Sequence, residues 1–191
     1  MYKVKVFLKF AVFMPLSLAM ACGSVSPSSL IALSRLDPLE TPPGDVAIAI
    51  SVPDALVLAD GDAVLRISFA DERNSLVDTA VPLTIRENEG GVAGLQQDGA
   101  NIFVGALAEA EARNLAAAQA EIRDLRAAGQ VGQGTVQIQV RGGCWVGAPL
   151  DALPVATWFR GHPDAAFLPI TRETDILGRL EAGGFEIPVC E

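Results

Sequence analysis

Beyond Lys9 the chain contains no lysine. That absence removes Schiff-base chemistry and the P-loop, both of which need a lysine at the site. Histidine is almost missing as well, because His162 is the only one. Any Ser-His-Asp or Cys-His nucleophile system would have to use it. It sits in Arg160-Gly161-His162-Pro163-Asp164, a turn by composition, and no Gly-x-Ser-x-Gly elbow occurs in the chain. No cysteine lies at ligand spacing from His162, so no zinc site is expected. Cysteine is limited to Cys22, Cys144 and Cys190. The lack of a C-x-x-C pair argues against a redox-active dithiol.

What is present offers few other routes to chemistry. Gly129, Gly132 and Gly134 form a glycine-rich stretch, but it follows a helical segment and precedes a strand. A phosphate cradle runs in the opposite order, from strand through loop to helix N-terminus. Asp60 with Asp62, and Glu87 with Glu89, bracket turn residues. They lack the twelve-residue pattern with a terminal glutamate that calcium loops use. Paired carboxylates for glycoside hydrolysis are set by spatial distance, and the sequence singles out no pair. The expectation is therefore a protein with no catalytic, cofactor-binding or metal-ligating residues, and not an enzyme.

The N-terminus is more explicit. Lys3, Lys5 and Lys9 precede an apolar run from Phe10 to Met20, broken by Pro15 and Ser17. Leu18-Ala19-Met20-Ala21-Cys22-Gly23-Ser24 follows, so the run ends in small residues with a cysteine directly after the cut. The run is too short to cross a bilayer core, which takes ~20 residues. The segment resembles the signal peptide of bacterial lipoproteins. Ala21 fits that pattern, whereas Leu18 stands one place early. The resemblance implies cleavage before Cys22, acylation of its thiol, and attachment to the membrane through the N-terminal lipid. Gly23 after the cysteine implies an outer-membrane destination facing the periplasm. Ala19-Met20-Ala21 is also an ordinary A-x-A cleavage site, which would leave Cys22 first but without lipid, in a soluble periplasmic protein.

Residues 1–21 are thus read as signal, 22–44 as tether and extended lead-in, and 45–191 as one domain. Removing the signal takes every lysine and leaves 11 arginines against 23 acidic residues, a net charge of −12. Such a surface repels phosphate backbones, so nucleic acid is not an expected partner. In an oxidising compartment Cys144 and Cys190 can pair. Closing the ~47-residue loop would contribute roughly 4 kcal/mol on the chain-entropy model. Two buried free thiols are the alternative.

Period-two alternation dominates the domain. Val46, Ile48, Ile50 and Val52 alternate with Ala47, Ala49 and Ser51. Leu65, Ile67 and Phe69 do so with Arg66 and Ser68, and Val81, Leu83 and Ile85 with Pro82, Thr84 and Arg86. Val136, Ile138 and Val140 alternate with Gln137, Gln139 and Arg141. Each reads as a half-buried strand with one wet face. Pro82 places its strand at an edge or a bulge. Further strands are predicted over Ile102–Leu107, Val155–Arg160, Ala166–Thr171 and Phe185–Val189. One long helix, Ala108–Ala128, is free of Gly and Pro and carries a narrow stripe of Leu115, Ala118, Ile122 and Leu125. Glu109 and Arg113 can pair along it, and Gly129 is placed to end it. A short helix is predicted over Thr174–Ala182. The fold class is mainly β: an antiparallel sandwich of about eight strands with the helix packed on it.

Trp145, beside Cys144, and Trp158 are the largest apolar groups and read as core, or else as an anchor for a partner. The function expected is a non-enzymatic, lipid-anchored cell-envelope protein with a structural, assembly or interaction role and an envelope protein as partner. The alternative is a periplasmic module binding a small ligand between sheet and helix.

Overall fold

The computed structural model describes residues 39–87, 95 and 98–191. The signal segment, Cys22, most of the tether, and Glu89 lie outside the described residues. Within them are ten strands. These are β1 (Ala47–Pro53), β2 (Leu56–Val57), β3 (Ala63–Ala70), β4 (Ser75–Pro82), β5 (Thr84–Glu87), β6 (Ala100–Ala106), β7 (Gln133–Val140), β8 (Cys144–Trp145), β9 (Pro154–Arg160) and β10 (Leu168–Asp175). Two helices, α1 (Glu109–Ala127) and α2 (Leu177–Ala182), accompany them.

The strands form a five-stranded antiparallel sheet in the order β10-β9-β1-β6-β5 and a three-stranded one in the order β4-β3-β7. β2 and β8 make a separate two-stranded ribbon. The larger sheets pack as a sandwich. Ile48, Ile50 and Val52 from β1 meet Leu65, Ile67 and Phe69 from β3 in one continuous core. The mainly-β sandwich expected from alternation is the fold observed.

β1 departs from the half-buried expectation, because all its residues are buried. Its second face carries only small side chains, and Ala49 is covered there by Leu95, Ile102, Trp158 and Phe167 in a second apolar cluster. Small residues let bulky neighbours close over the strand, so alternation in residue size replaces alternation in polarity.

The segment read as one strand around Pro82 is two. β4 ends at Pro82 in the three-stranded sheet, and β5 begins at Thr84 in the five-stranded one. Leu83 is the crossing. Its N–H donates to the Ala63 carbonyl at 2.9 Å, and its own carbonyl accepts from Gly61 N–H at 2.9 Å. Val81 and Leu83 are both buried, so the period of two runs unbroken through the change of sheet. Pro82 does lie on an edge strand.

Helix α1 lies over β4 and β3. It buries Leu115, Ala118, Gln119 and Ile122, with Leu125 packed partly against the core. Glu109 and Arg113 form an ion pair. Gly129 ends the helix at φ +83°, where a left-handed residue is needed. The amide of Gly129 donates to Arg126 O at 3.0 Å and that of Gln130 to Leu125 O at 2.9 Å. These two bonds close the helix in the manner of a Schellman motif.

The C-terminal expectations shift. β10 runs on to Asp175, so the short helix begins at Leu177 rather than Thr174. Asp175 Oδ1 accepts from the amides of Leu177 (3.0 Å) and Leu153 (2.9 Å), holding its carboxyl below the usual aspartate range. Residues 185–189 form no strand. Gly184 turns the chain at φ +76°, and only Val189 makes a bridge, parallel to Trp145. Pro188 has no N–H to contribute to a ladder.

Candidate interaction surface

The residues singled out from the sequence fall at separate places. His162 is exposed in the turn after β9, with Nδ1 accepting from the Asp164 amide at 3.3 Å. Asp60 and Asp62 brace backbone: Asp60 Oδ1 accepts from Ile85 N–H at 2.6 Å, and Asp62 Oδ2 from Ala59 N–H at 2.7 Å. Among the described residues, no three His, Cys, Asp or Glu side chains converge as a metal set. Gly129, Gly132 and Gly134 lie at the end of α1 and the start of β7, and Gly132 is required sterically. A Cβ there would sit 2.6 Å from Ala70 O and 2.8 Å from the Phe69 ring.

Cys144 and Cys190 are disulfide-bonded, with their Cα atoms 4.9 Å apart. The bond ties the C-terminal segment to β8, where Trp145 N–H donates to Pro188 O at 2.7 Å and Cys190 N–H to Trp145 O at 2.9 Å. Trp145 is 2 % exposed and belongs to the core. Trp158 is half-buried in the smaller cluster.

Between α1, β7 and β9 runs a narrow cleft lined by Thr41, Val46, Leu65, Ile67, Leu115, Gln119, Val136 and Phe159. About 20 Å³ is open to the centre of a water molecule, room for roughly one water. A small-molecule site is typically several hundred Å³. The cleft is therefore a dimple beside the sheet edge. Gln119 Nε2 donates to Thr41 O at 3.0 Å, and Arg123 donates to Leu39 O, which straps the incoming chain across the helix.

The surface that sequence reasoning missed is the edge beside this dimple. Four strands end the two large sheets: β10, β5, β4 and β7. Natural edges are protected against foreign strands by shortness, charge, proline, bulges or a covering element. β10 has Pro169, several charged residues and two breaks in register against β9. β5 is four residues long and carries Arg86. β4 has Asp78, Pro82 and a bulge, and α1 packs against it.

Among the described residues, β7 has none of these. Gln133-Gly134-Thr135-Val136-Gln137-Ile138-Gln139-Val140 contains no charge and no proline. It pairs with β3 over eight consecutive positions without a shift, and among the described residues β3 is its sole strand partner. In an antiparallel pair, alternate main-chain N–H and C=O groups of an edge strand point away from the neighbour. On β7, among the described residues, no strand pairs with them. The strand is held taut at both ends, by Gly132 against Phe69 and by the amides of Arg141 (2.6 Å) and Gly142 (3.2 Å) donating to Asp62 O. Val136 faces the dimple and is 36 % exposed. The one signal of this edge in the sequence is the uncharged run from Gly129 to Val140, which ends at Arg141.

No family model matches this chain, no curated protein matches its sequence, and no solved structure matches its fold. Among the described residues, no helix is long and apolar enough to cross a membrane.

Proposed function

We propose that this is a cell-envelope protein, anchored by a lipid on Cys22, that works by holding another protein and not by catalysis. The observation that carries the reading is the open, uncharged edge of β7, the one sheet edge without protection among the described residues. An unprotected edge is a template for strand addition, and chains that do not use it are selected against for aggregation. The signal segment supports placement in the envelope, and the cystine supports an oxidising compartment.

Two measurements test the two halves separately. The intact mass of the membrane-extracted protein should equal residues 22–191 plus acyl groups; an unlipidated mass overturns the anchor. A photo-crosslinking residue at Gln137 should give a discrete protein adduct in cells, while the same residue at exposed Asp164 should not. Equal labelling from both positions, or from neither, overturns the interaction role.

A further inference from the structure

We infer that the β7 edge receives an extended acidic segment of a partner protein, which adds as a fourth strand to the three-stranded sheet. This deepens the interaction role proposed above and rests on it. Three features set the chemistry of the incoming strand.

The first is its main chain. β7 offers outward N–H and C=O groups along an unbulged strand, so the partner must be extended over a comparable length. The second is the two faces of the enlarged sheet. On the inner face, the new strand lies beside Val136 and Ile138, at the mouth of a dimple walled by Leu65, Ile67, Leu115 and Phe159. A small side chain such as Ala, Val or Thr fits there; a large ring does not. On the outer face, Thr135, Gln137 and Gln139 are uncharged, so the strand can be polar there without facing a like charge.

The third feature is charge at the two ends. Arg126 Nη2 lies 3.1 Å from where a Gly134 Cβ would stand, at the start of β7, and its guanidinium rests over the Phe69 ring at 5.5 Å. Arg141 follows Val140 at the other end and is held by Gln139, with Nη2 to Oε1 at 2.9 Å. Neither guanidinium forms an ion pair among the described residues. The chain as a whole is strongly acidic. An uncharged strand with an arginine near each end, neither in an ion pair among the described residues, therefore favours acidic flanks on its partner. A second copy is the poorer occupant: an antiparallel self-pair that keeps inner face beside inner face brings the arginine-bearing ends of the two strands together.

The probe is a synthetic peptide of alternating Val and Thr with Glu at both ends, compared with the same peptide ending in Lys. Binding to the protein as purified from cells is read by fluorescence anisotropy, with amide exchange measured on the protein. The Glu-ended peptide should bind about tenfold tighter at low salt, with the gap narrowing as salt rises. Exchange protection should appear on residues 133–140. Val136→Lys points a charge inward at the edge and should abolish binding. Because that variant can disturb folding, Arg126→Glu with Arg141→Glu serves as the second test and should reverse the preference toward the Lys-ended peptide. Equal affinity for both peptides, or protection elsewhere, overturns the inference. So does a concentration-dependent dimer that Val136→Lys abolishes, which would assign the edge to a second copy. The intact-mass result bears on the anchor alone, so failure here leaves that half of the reading standing.

Discussion

The two sheets of the sandwich are written in the same alternating pattern but meet solvent differently. The five-stranded sheet buries both faces of its central strand, with Ile48 and Ile50 on one side and Ala49 under Trp158 and Phe167 on the other. The three-stranded sheet buries one face and leaves most of the other to solvent. Its outer face carries the Arg66–Asp78 ion pair and the row of Thr135, Gln137 and Gln139. The difference teaches where stability and where recognition reside. A strand covered on both faces and flanked on both sides has no free bonding capacity. A strand exposed on one face and one side, as β7 is, keeps its main chain available at little cost to the core.

Substitutions can break that contrast, the largest effect lying in the closed sheet. Ile50→Ala should cost about 2–5 kcal/mol, since Ile50 is fully buried between the sheets, while Val136→Ala should cost below about 1 kcal/mol. Urea denaturation of both variants measures this, and comparable losses would show that β7 is as well packed as β1. Next comes the cystine. Replacing Cys144 and Cys190 with Ala should lower stability by about 2–4 kcal/mol and leave the Trp145 environment more polar, read by its fluorescence.

A smaller effect is expected where the β4–β5 crossing presses on β6. A Cβ on Gly105 would lie 2.8 Å from Leu83 Cδ1 and 3.1 Å from Leu83 Cβ. Gly105→Ala should cost about 1–3 kcal/mol through overpacking, as seen in the thermal midpoint. The smallest change concerns Asp175. Its pKa is lower in the folded chain than the ordinary 3.8, because two backbone amides bond the ionised carboxylate. Its contribution is thus complete above that ordinary value and is lost as pH falls through the folded-state pKa. Asp175→Asn should be less stable than the parent near neutral pH, and the difference should shrink on acidification. A gap that widened with acid would contradict the assignment.

Much of this architecture is legible in the residues. The alternation of Leu65, Ile67 and Phe69, the Gly-free run of α1, and the Gly129 stop are local signals, and each element forms where its own chemistry places it. The change of sheet at Leu83 is not legible, because both sheets share one core and Val81 and Leu83 face it equally. Strand period reports which way a side chain points, not which neighbour the backbone bonds. For the same reason Val136, Ile138 and Val140 announce a strand but not an edge. Edge position depends on which partners arrive from distant sequence. The disulfide pairing is accessible by count, whereas the failure of 185–189 to form a strand reflects Gly184 and Pro188 overriding Phe185, Ile187 and Val189.

The crossing at Leu83 has a mechanical consequence. With one residue between β4 and β5, and that residue bonded through both its amide and its carbonyl, the chain has no slack between the sheets. Both bonds hold Leu83 to residues 61–63 at the start of β3, so the covalent link from Leu83 to Thr84 is what ties that corner of one layer to the other. Load applied to one layer is handed directly to the other, and the sandwich should yield as a single block.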